Sequence, residues 1–583
     1  MSQSATRCGA SEAGSARAVR LRAHEARHVC ASGQSAERAR IGALLQAVAP
    51  LLWIPQAALL GFAVGSLATE HSADPVFICA AGVLILGIAR SVIDAFGARL
   101  SFLQARSLLS ERRREAVTAL AARSPIDVKQ PASGHAASVL AEQAEAVVPY
   151  LSRYRPARLR AMIVPAAILL CVFIHSWAAA LVLLFAAPLI PIFMALIGWR
   201  AKAASEAQLV ELGSMNAFLL DRLRGLATIR SMQAVDATAR RLRADAESLR
   251  IRTMAVLRIA FLSSAVLEFF AALGVAMVAV YVGFHLLGQL PFGAWGNKLS
   301  LAEGLFILLL APAFFEPLRD LSSVWHDRAA GEAALDALRR LSEKGADFPG
   351  AASEAEASHP IDFAPMAIRV EKLCYRYAPQ GVRVFDNFNL EIKAGEHVAL
   401  LASSGGGKST LLALLAGLAH AESGCILMNG TPLTDQAADQ LRHWIAWIGQ
   451  HPHVFAGTIA GNVRLGRADL HADSVRHALS CAGLGEVAQR RGPALIGENG
   501  LGLSGGEASR LALARVAATP LVGLILADEP TAHLDTVTAQ SIADALIKIS
   551  RGRTLVVATH DPVLAACMDR IVQLVPQPVE DAA

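Results

Sequence analysis

Six long apolar segments limit what this chain can fold into more than any other feature. A helix needs about 20 apolar residues to cross a bilayer, and hydrophobic residues make up 54% of the chain against 18% charged. The carboxy-terminal part, by contrast, has the composition of a soluble α/β protein. We therefore predict a membrane half followed by a soluble half. The apolar segments are 42–68, 75–97, 161–176, 178–199, 259–287 and 302–318.

The distribution of arginine predicts the orientation of these spans. Residues 97–160 contain ten Arg and one Lys, and residues 200–252 contain nine Arg and one Lys. The alternate loops differ, because residues 69–74 have no Lys or Arg and residues 288–301 have only Lys298. By the positive-inside rule, both termini and both long loops lie in the cytosol. Membrane orientation thus explains the net charge of +5 better than nucleic-acid binding does.

The two Arg-rich segments also keep a helical spacing of Leu, Ala and Val. We predict that the membrane helices continue through them into the cytosol and turn back near residues 122–128 and 220–228. Charged residues inside spans are candidates for a transport pathway. Arg90 and Asp94, however, are four residues apart on one predicted helix and are expected to pair with each other.

The sequence LLASSGGGKSTLLALLAGL, Leu400–Leu418, has the features of a phosphate-binding loop. Its glycines let backbone N–H groups turn toward phosphates, Lys408 would reach the β- and γ-phosphates, and Ser409 would hold Mg²⁺. Ala402 replaces the usual first Gly, and its methyl group would cost about 1 kcal/mol if that position required positive φ. The predicted ATP-contacting residues are Ser404, Gly405, Gly406, Gly407, Lys408, Ser409 and Thr410.

Polar residues that follow apolar strands complete a predicted hydrolytic site. In LVGLILADEP, Asp528 is placed to hold Mg²⁺ and Glu529 to act as the base that polarises the attacking water. His560 follows the apolar run of TLVVATHDP and is expected to contact the γ-phosphate. Gln450 follows WIAWIG and is expected to sense both Mg²⁺ and water.

A second helix start with anion-binding character follows later in the chain. In GLSGGEASRLALARV, Ser504, Gly505 and Gly506 precede an amphipathic helix. One nucleotide does not need two such phosphate-binding turns in one domain. We therefore predict that two domains face each other head to tail, with each ATP between the loop of Lys408 in one copy and the SGG turn of the other.

Together these motifs resemble those of the ATP-binding cassette (ABC) ATPases, and the six spans with two long loops resemble an ABC exporter half-transporter. The resemblance implies an α-helical six-span ABC exporter transmembrane domain followed by an α/β P-loop ATP-binding cassette domain. The sequences FLLDRLRGLATIRSMQAVD and APAFFEPLRDLSSVWHDRAAGEAALDAL are similar to those of CydD-type subunits. These subunits belong to the CydDC exporters, which bacteria require to assemble cytochrome bd oxidase.

This resemblance implies a heterodimer with a CydC-like half-transporter in the inner membrane, with ATP and Mg²⁺ as cofactors. The cargo attributed to the family is cysteine and glutathione, moved to the periplasm, with haem as a rival proposal. Tyr377 resembles the aromatic residue that stacks on adenine, although Tyr375 competes for this role. Gln450 resembles the Q-loop glutamine and Asp535 the D-loop aspartate. Glu507, directly after the SGG turn, replaces the Gln that is commoner in the family.

We divide the chain into a cytosolic tail 1–40, a transmembrane domain 41–330, a linker 331–364 and a nucleotide-binding domain 365–583. Three alternatives stay open. One is a homodimeric lipid or drug exporter, and another is a haem transporter that uses His175 or His285. The third, a soluble ABC ATPase acting on ribosomes or DNA, is disfavoured by the six apolar segments.

Overall fold

A computed structural model describes residues 40–574 apart from 71–73, 189–191, 193–214, 216–217, 220, 224, 296–297, 352–364, 379, 404, 468, 498–501 and 520. Several predicted features therefore lie wholly or partly outside the described residues. They are the tail 1–40, the segment 178–199, the linker 331–364, the turn at 220–228, and Ser404.

The chain separates into two compact units. The helical unit comprises residues up to Arg114 together with Ala137–Arg339, and the sheet unit comprises Glu115–Ala136 together with the chain from Arg340 onward. The first predicted cytosolic turn, at residues 122–128, is therefore part of the sheet unit, whereas the described chain before Glu115 and the chain from Ala137 to Arg339 belong to the helical unit.

The helical unit is formed mainly by long helices, some of which have an end in the sheet unit. Among the described residues, five helices are long and apolar enough to cross a membrane, and a shorter apolar helix lies at Trp177–Pro188, where the predicted segment 178–199 begins. The helices are α1 (40–48), α2 (Trp53–Glu70), α3 (Asp74–Ala121), α4 (Ser133–Ala141), α5 (Val147–Pro149), α6 (Arg155–His175), α7 (Trp177–Pro188), α8 (Leu226–Ser231), α9 (Val235–Leu286), α10 (Leu301–Ser323) and α11 (Trp325–Ser342).

Two of these helices are much longer than a bilayer requires. α3 has 48 residues and α9 has 52, which at a rise of 1.5 Å per residue gives lengths of about 72 and 78 Å. The hydrocarbon core of a bilayer is only about 30 Å thick. The prediction that membrane helices continue beyond the bilayer is confirmed for both.

Helix α10 lies at the centre of the helical unit and packs against α2, α6 and α9. Its buried side chains include Ile307, Leu310, Phe314 and Phe315. Large apolar side chains elsewhere on the unit stay exposed, as Phe77 does on α3. This distribution suits a protein whose outer surface contacts lipid, because lipid-facing helices need no polar surface.

One arginine joins four helices of the unit. Arg160 on α6 donates to Asp94 of α3 at 2.9 Å, to Asp320 of α10 at 3.3 Å and to the Gln46 carbonyl oxygen of α1 at 3.2 Å. The expected pair between Arg90 and Asp94 is therefore wrong. A tertiary partner takes the Asp94 carboxylate, and the Arg90 guanidinium lies 6.0 Å from the centre of the Trp53 ring.

In its described residues, the sheet unit contains two sheets and eight further helices. The strands are β1 (Ile368–Arg376), β2 (Arg383–Ile392), β3 (His397–Leu401), β4 (Ser423–Met428), β5 (Thr431–Pro432), β6 (Ile445–Ile448), β7 (Leu524–Asp528), β8 (Thr554–Ala558) and β9 (Arg570–Gln573). The helices are α12 (Lys408–Leu415), α13 (Ala438–Arg442), α14 (Ile459–Arg464), α15 (Ala472–Cys481), α16 (Gly485–Arg491), α17 (Gly505–Ala517), α18 (Thr536–Ser550) and α19 (Pro562–Ala566).

The two sheets differ in strand direction. One is antiparallel, in the order β2-β1-β4-β5, and the other is parallel, in the order β6-β7-β8-β3-β9. All residues of β7 and β8 are buried, as expected for central strands of a parallel sheet that is covered on both faces. The carboxyl ends of β6, β7, β8 and β3 therefore meet along one edge, where such sheets bind ligands.

Candidate functional site

The predicted hydrolytic residues lie along this edge of the parallel sheet. Gln450 follows β6, Asp528 ends β7, His560 follows β8, and the glycine-rich loop joins β3 to α12. The side chain of Gln450 is exposed. Residues from distant parts of the chain are thus neighbours because adjacent parallel strands end at the same level.

The loop before α12 has the backbone geometry of a phosphate-binding loop. Gly405 and Gly407 have φ of +81° and +85°, which a residue with a side chain rarely adopts. A Cβ at Gly407 would also lie 2.8 Å from Val384 and 2.9 Å from the Phe385 ring. Successive N–H groups at a helix start form an anion site, so the loop fits a nucleotide phosphate.

Ala402 does not carry the backbone penalty that positive φ would impose. It belongs to the described part of the chain but not to the residues with positive φ. Its methyl group faces Gly406, where an added Cβ would lie only 2.7 Å away. The condition for the predicted cost is therefore absent, and Ala402 instead makes glycine necessary at position 406.

Lys408 connects the loop to the residues that follow β7 and β8. Its side chain is 6% exposed, and its ammonium group donates to the Ala402 carbonyl oxygen at 2.9 Å and to His560 Nε2 at 2.8 Å. Glu529 Oε1 lies 3.3 Å from the same His560 nitrogen and 4.0 Å from Lys408 Nζ. Three of the predicted site residues are therefore in mutual contact.

Asp528 is a buried carboxyl group that is hydrogen-bonded to the Ser409 side chain. Burial raises the pKa of Asp528, and the neighbouring Glu529 raises it further, while the Ser409 hydrogen bond and Lys408 partly oppose this shift. A hydroxyl and a carboxylate are oxygen ligands of the kind that Mg²⁺ prefers. Ser409 and Asp528 therefore fit the metal that the sequence predicts.

Glu529 occupies a strained backbone position. Its φ is +47°, which costs roughly 1–2 kcal/mol for a residue with a side chain, and its N–H donates to the Ala558 carbonyl oxygen at 2.8 Å. Backbone strain of this kind often occurs at functional sites. This bond to the end of β8 holds Glu529 beside His560.

The sequence did not predict a further contact near Glu529 and His560. The Thr531 hydroxyl donates to Asp561 Oδ2 at 3.1 Å, and Asp561 also caps α19 by accepting from Val563 N–H at 2.9 Å. The Asp-Pro start of α19 signals the cap, but no local pattern signals the bond to Thr531. The bond joins the segment after Glu529 to the segment after His560.

Of the two tyrosines that compete for the adenine position, only one is accessible. Tyr375 is 7% exposed and Tyr377 is 44% exposed. Burial, with smaller contributions from Tyr377 and Asp127, raises the pKa of Tyr375 to about 12, so this residue behaves as a neutral core side chain. The Tyr377 hydroxyl lies 2.6 Å from Thr410 Oγ1 on α12.

The SGG turn begins α17 with reciprocal capping. Ser504 Oγ accepts from Glu507 N–H at 3.2 Å, and Glu507 Oε2 accepts from Ser504 N–H at 2.8 Å. Gly505 and Gly506 are the first residues of the helix. Glu507 thus satisfies a backbone donor of the turn. Among the described residues, no hydrogen bond or ion pair joins this turn to Lys408.

Asp535 has the same kind of position at the start of α18. Its carboxylate accepts from Thr538 N–H at 3.0 Å, and this backbone hydrogen bond lowers the pKa of Asp535. The residue is therefore ionised at neutral pH.

The two histidines proposed as haem ligands have structural partners. His285 is 2% exposed, and its Nε2 accepts from Leu299 N–H at 3.2 Å. His175 Nδ1 lies 3.6 Å from Glu303 Oε1, and its ring packs edge-on against Phe306. Both imidazoles contribute to the packing of the helical unit, and the buried His285 Nδ1 has no hydrogen-bond partner among the described residues.

Two family models match the chain. Residues 41–306 match the ABC transporter transmembrane region, and residues 385–532 match the ABC transporter model. The first match lies in the helical part of the sequence, and the second includes Lys408, the SGG turn and Glu529.

Curated relatives match over most of the chain. The transport ATP-binding protein AarD of Providencia stuartii is 36% identical over 528 residues, which cover 89% of this chain and 88% of the relative. The glutathione/L-cysteine transport system ATP-binding/permease protein CydD of Escherichia coli (strain K12) is 37% identical over 451 residues, which cover 77% and 76%.

A solved structure supports the fold at lower identity. The structure of a bacterial Atm1-family ABC exporter with ATP bound aligns with a TM-score of 0.69 at 20% identity, covering 92% of this chain and 93% of that chain. Together with the apolar helices and the phosphate-binding loop, these matches identify the family. The chain belongs to the ABC transporters, among the CydD-type ATP-binding/permease proteins, and is a multi-pass membrane protein that couples ATP hydrolysis to transport.

Proposed function

We propose that this chain is one half of an exporter that moves cysteine or glutathione from the cytoplasm to the periplasm. The partner would be a CydC-like half-transporter, and the exported thiol would support assembly of cytochrome bd oxidase. The observation that carries the cargo proposal is the similarity over most of the chain to a relative named for glutathione and L-cysteine transport. We place the protein in the bacterial inner membrane, with the sheet unit and both termini in the cytoplasm, because the Arg-rich segments alternate with loops that have almost no Lys or Arg.

The four-part division of the chain remains part of this proposal. The first cytosolic turn belongs to the sheet unit by its contacts, although it lies within the span 41–330 that we assign to the transmembrane domain. This turn is inserted between two membrane helices and packs with the carboxy-terminal domain. It is therefore suited to transmit movement between that domain and the membrane helices.

We assign the loop of Gly405–Gly407 and Lys408 to the phosphates of ATP, with Ser404 and Thr410 beside them. The Lys408 ammonium group would exchange its bonds to Ala402 and His560 for the β- and γ-phosphate oxygens. Ser409, Asp528 and Gln450 would hold Mg²⁺, which would neutralise charge on the phosphates. Tyr377, whose exposed ring adjoins α12, would stack on adenine.

Hydrolysis in this assignment uses Glu529 and His560. The Glu529 carboxylate accepts a proton as a water oxygen bonds to the γ-phosphorus, and the bond from that phosphorus to the β–γ bridging oxygen breaks. The products are ADP and inorganic phosphate. His560, whose Nε2 lies 3.3 Å from Glu529, would hold the γ-phosphate in line for this attack.

The remaining predicted site residues serve a facing subunit. Ser504, Gly505 and Gly506 start a capped helix whose N-terminus suits an anion, yet they have no bond to Lys408 in the described part of the chain. We propose that they contact the ATP bound by the partner, and that Asp535 lies at the same interface. Closure of the two domains around ATP would open the cargo path outward, and hydrolysis would reset it.

Glu529→Gln tests the hydrolytic assignment. The variant, purified with its partner, should bind ATP normally and remain closed, while ATP turnover falls by about 10²–10⁴-fold because the general base is lost. Glu486→Gln, which changes an exposed carboxylate on α16, is a matched control that should leave turnover unchanged. Unchanged turnover in Glu529→Gln would reject the assignment.

Uptake of labelled cargo into inverted membrane vesicles tests the transport proposal. Vesicles that contain this chain and its CydC-like neighbour should accumulate cysteine or glutathione when ATP is present, and the Glu529→Gln pair should not. ATP-dependent accumulation of haem alone would replace the thiol proposal. Full activity without the neighbour would replace the heterodimer with a homodimer.

A further inference from the structure

The segment that follows α11 packs tightly within the sheet unit. We call residues 343–350 the strap. We propose that the strap and Arg442 fasten the loop Arg123–Asp127 to the carboxyl end of α12, so that this loop follows the helix when nucleotide binds. The inference rests on the proposed function, because it concerns how ATP binding reaches the segments that continue the membrane helices.

The strap first binds the loop that follows α3. Ser124 N–H donates to the Ala346 carbonyl oxygen at 2.8 Å, and Ala346 N–H donates to Asp127 Oδ2 at 3.1 Å. The Arg123 guanidinium donates to the Glu343 carbonyl oxygen at 2.5 Å. Backbone and side-chain bonds therefore join two segments that are more than 200 residues apart in the sequence.

The strap then binds Arg442 at the end of α13. The guanidinium carbon of Arg442 lies 4.9 Å from the centre of the Phe348 ring, and Nη1 donates to the Pro349 carbonyl oxygen. Gly350 N–H donates to Asp435 Oδ1 at 3.2 Å. A stacked and hydrogen-bonded guanidinium holds its partners in a fixed direction, which a lysine at this position would not do.

Both connections meet at the carboxyl end of α12. Arg442 Nη1 also donates to the Gly417 carbonyl oxygen at 3.3 Å, and the Ser124 hydroxyl donates to the Leu418 carbonyl oxygen at 2.5 Å. Gly417 and Leu418 lie just after α12, and their N–H groups donate to the Leu414 and Ala413 carbonyl oxygens of its last turn, so they follow the end of the helix. Ile126 packs against the core cluster that contains Leu411 and Leu415 of α12.

Helix α12 therefore connects the phosphate-binding loop at its first residue with the bonds to Arg442 and Ser124 beyond its last. Its first residue is Lys408, in the phosphate-binding loop, and its eighth and last is Leu415, two residues before Gly417, the first of the two accepting residues. A helix of this length is a rigid rod of about 12 Å. A shift at the phosphate end therefore reaches the loop through Ser124 directly, and reaches it again through Arg442 and the strap. Arg442 is a positioning residue in this scheme and has no contact with the predicted catalytic groups in the described structure.

Hydrogen exchange of the full chain, purified with its partner in lipid nanodiscs, tests the inference. In the wild type, the amides of Ser124 and Ala346 should be protected, and the non-hydrolysed analogue AMP-PNP should change exchange in both 122–128 and the strap. In Arg442→Gln, the amides of Ser124 and Ala346 should exchange about tenfold faster. The reason is that the strap loses its bonds to the charged Arg442 guanidinium and opens more often. The nucleotide-dependent change in 122–128 should fall by at least half, while AMP-PNP affinity stays within about twofold.

Matched variants keep the test decisive. Arg490→Gln removes an exposed arginine of the same unit and should behave as the wild type. Phe348→Ala changes only the strap side of the contact and should accelerate exchange of the strap about two- to fivefold, the size of a lost cation–π contact, even if Arg442→Gln fails to fold. The inference is overturned if the strap amides are unprotected in the wild type, or if Arg442→Gln retains the full nucleotide response. Failure of the wild type to bind nucleotide would instead overturn the proposed function.

Discussion

The buried carboxyl group of Asp528 makes the stability of the folded protein depend on pH. Because its folded pKa lies above the ordinary value of about 3.9, the folded protein holds this proton over a pH range in which the unfolded chain has lost it. The free energy of unfolding therefore decreases as pH rises through that range. At neutral pH the ionised, buried carboxylate is a net destabilising group.

Asp528→Asn should remove this effect. We expect the variant to have a higher apparent Tm than the wild type at pH 7, with the difference disappearing as the pH falls below the ordinary Asp range, while Mg²⁺-dependent ATP turnover is lost. Thermal unfolding of the full-length protein at a series of pH values measures the first effect. Parallel pH profiles for the two proteins would contradict it.

Ala402→Gly tests whether the unusual loop residue weakens ATP binding. Because Ala402 is not among the residues with positive φ, we expect the glycine variant to bind ATP with an affinity within about twofold of the wild type. Added backbone freedom should lower stability by roughly 0.5–1 kcal/mol. Nucleotide titration by fluorescence provides the measurement, and a tenfold gain in affinity would show that the methyl group does obstruct the phosphate.

At the level of elements, helix α17 shows how a departure from the family pattern is accommodated. The Glu507 side chain accepts from Ser504 N–H in a capping box, a motif in which Glu and Gln serve equally well. The unusual residue therefore keeps the structural contribution of the common one. The helix start retains its geometry although its first turn gains a negative charge.

Two substitutions separate these contributions. Glu507→Ala should lower the free energy of unfolding by about 1 kcal/mol, the usual effect of a lost cap, whereas Glu507→Gln should leave it nearly unchanged. Chemical denaturation followed by tryptophan fluorescence provides the comparison. Equal stability of all three proteins would mean that the cap contributes nothing.

The same elements show what the sequence can and cannot reveal. The apolar runs before Asp528 and His560 predicted strands, and parallel pairing of those strands explains why their ends meet. The contacts of Lys408 with His560, of Thr531 with Asp561 and of Arg442 with the strap were not predicted. Each depends on how segments distant in sequence pack, and Arg90 shows the same limit, because local spacing suggested Asp94 as its partner while Arg160 occupies that carboxylate.

For the whole molecule, the orientation in the membrane is the assignment with the most consequences. Cys567 has an exposed side chain in the sheet unit, so a variant that keeps only this cysteine reports the location of the unit. A membrane-impermeant maleimide should label it in inverted vesicles and not in intact spheroplasts. A second variant whose only cysteine is at Lys298→Cys, in the loop before α10, should give the opposite result. Labelling of both from the same side would contradict the topology.

The length of helix α3 means that a small tilt of the helix moves its far end by a large distance. An unbroken rod about 72 Å long that tilts by about 5° about one end carries the other end through roughly 6 Å, which is about one helical turn. Its last residue, Ala121, is immediately followed by the loop whose Ser124 donates to the Leu418 carbonyl oxygen. In the proposed mechanism, a small rotation of the helix near that loop would therefore become a much larger displacement at its other end.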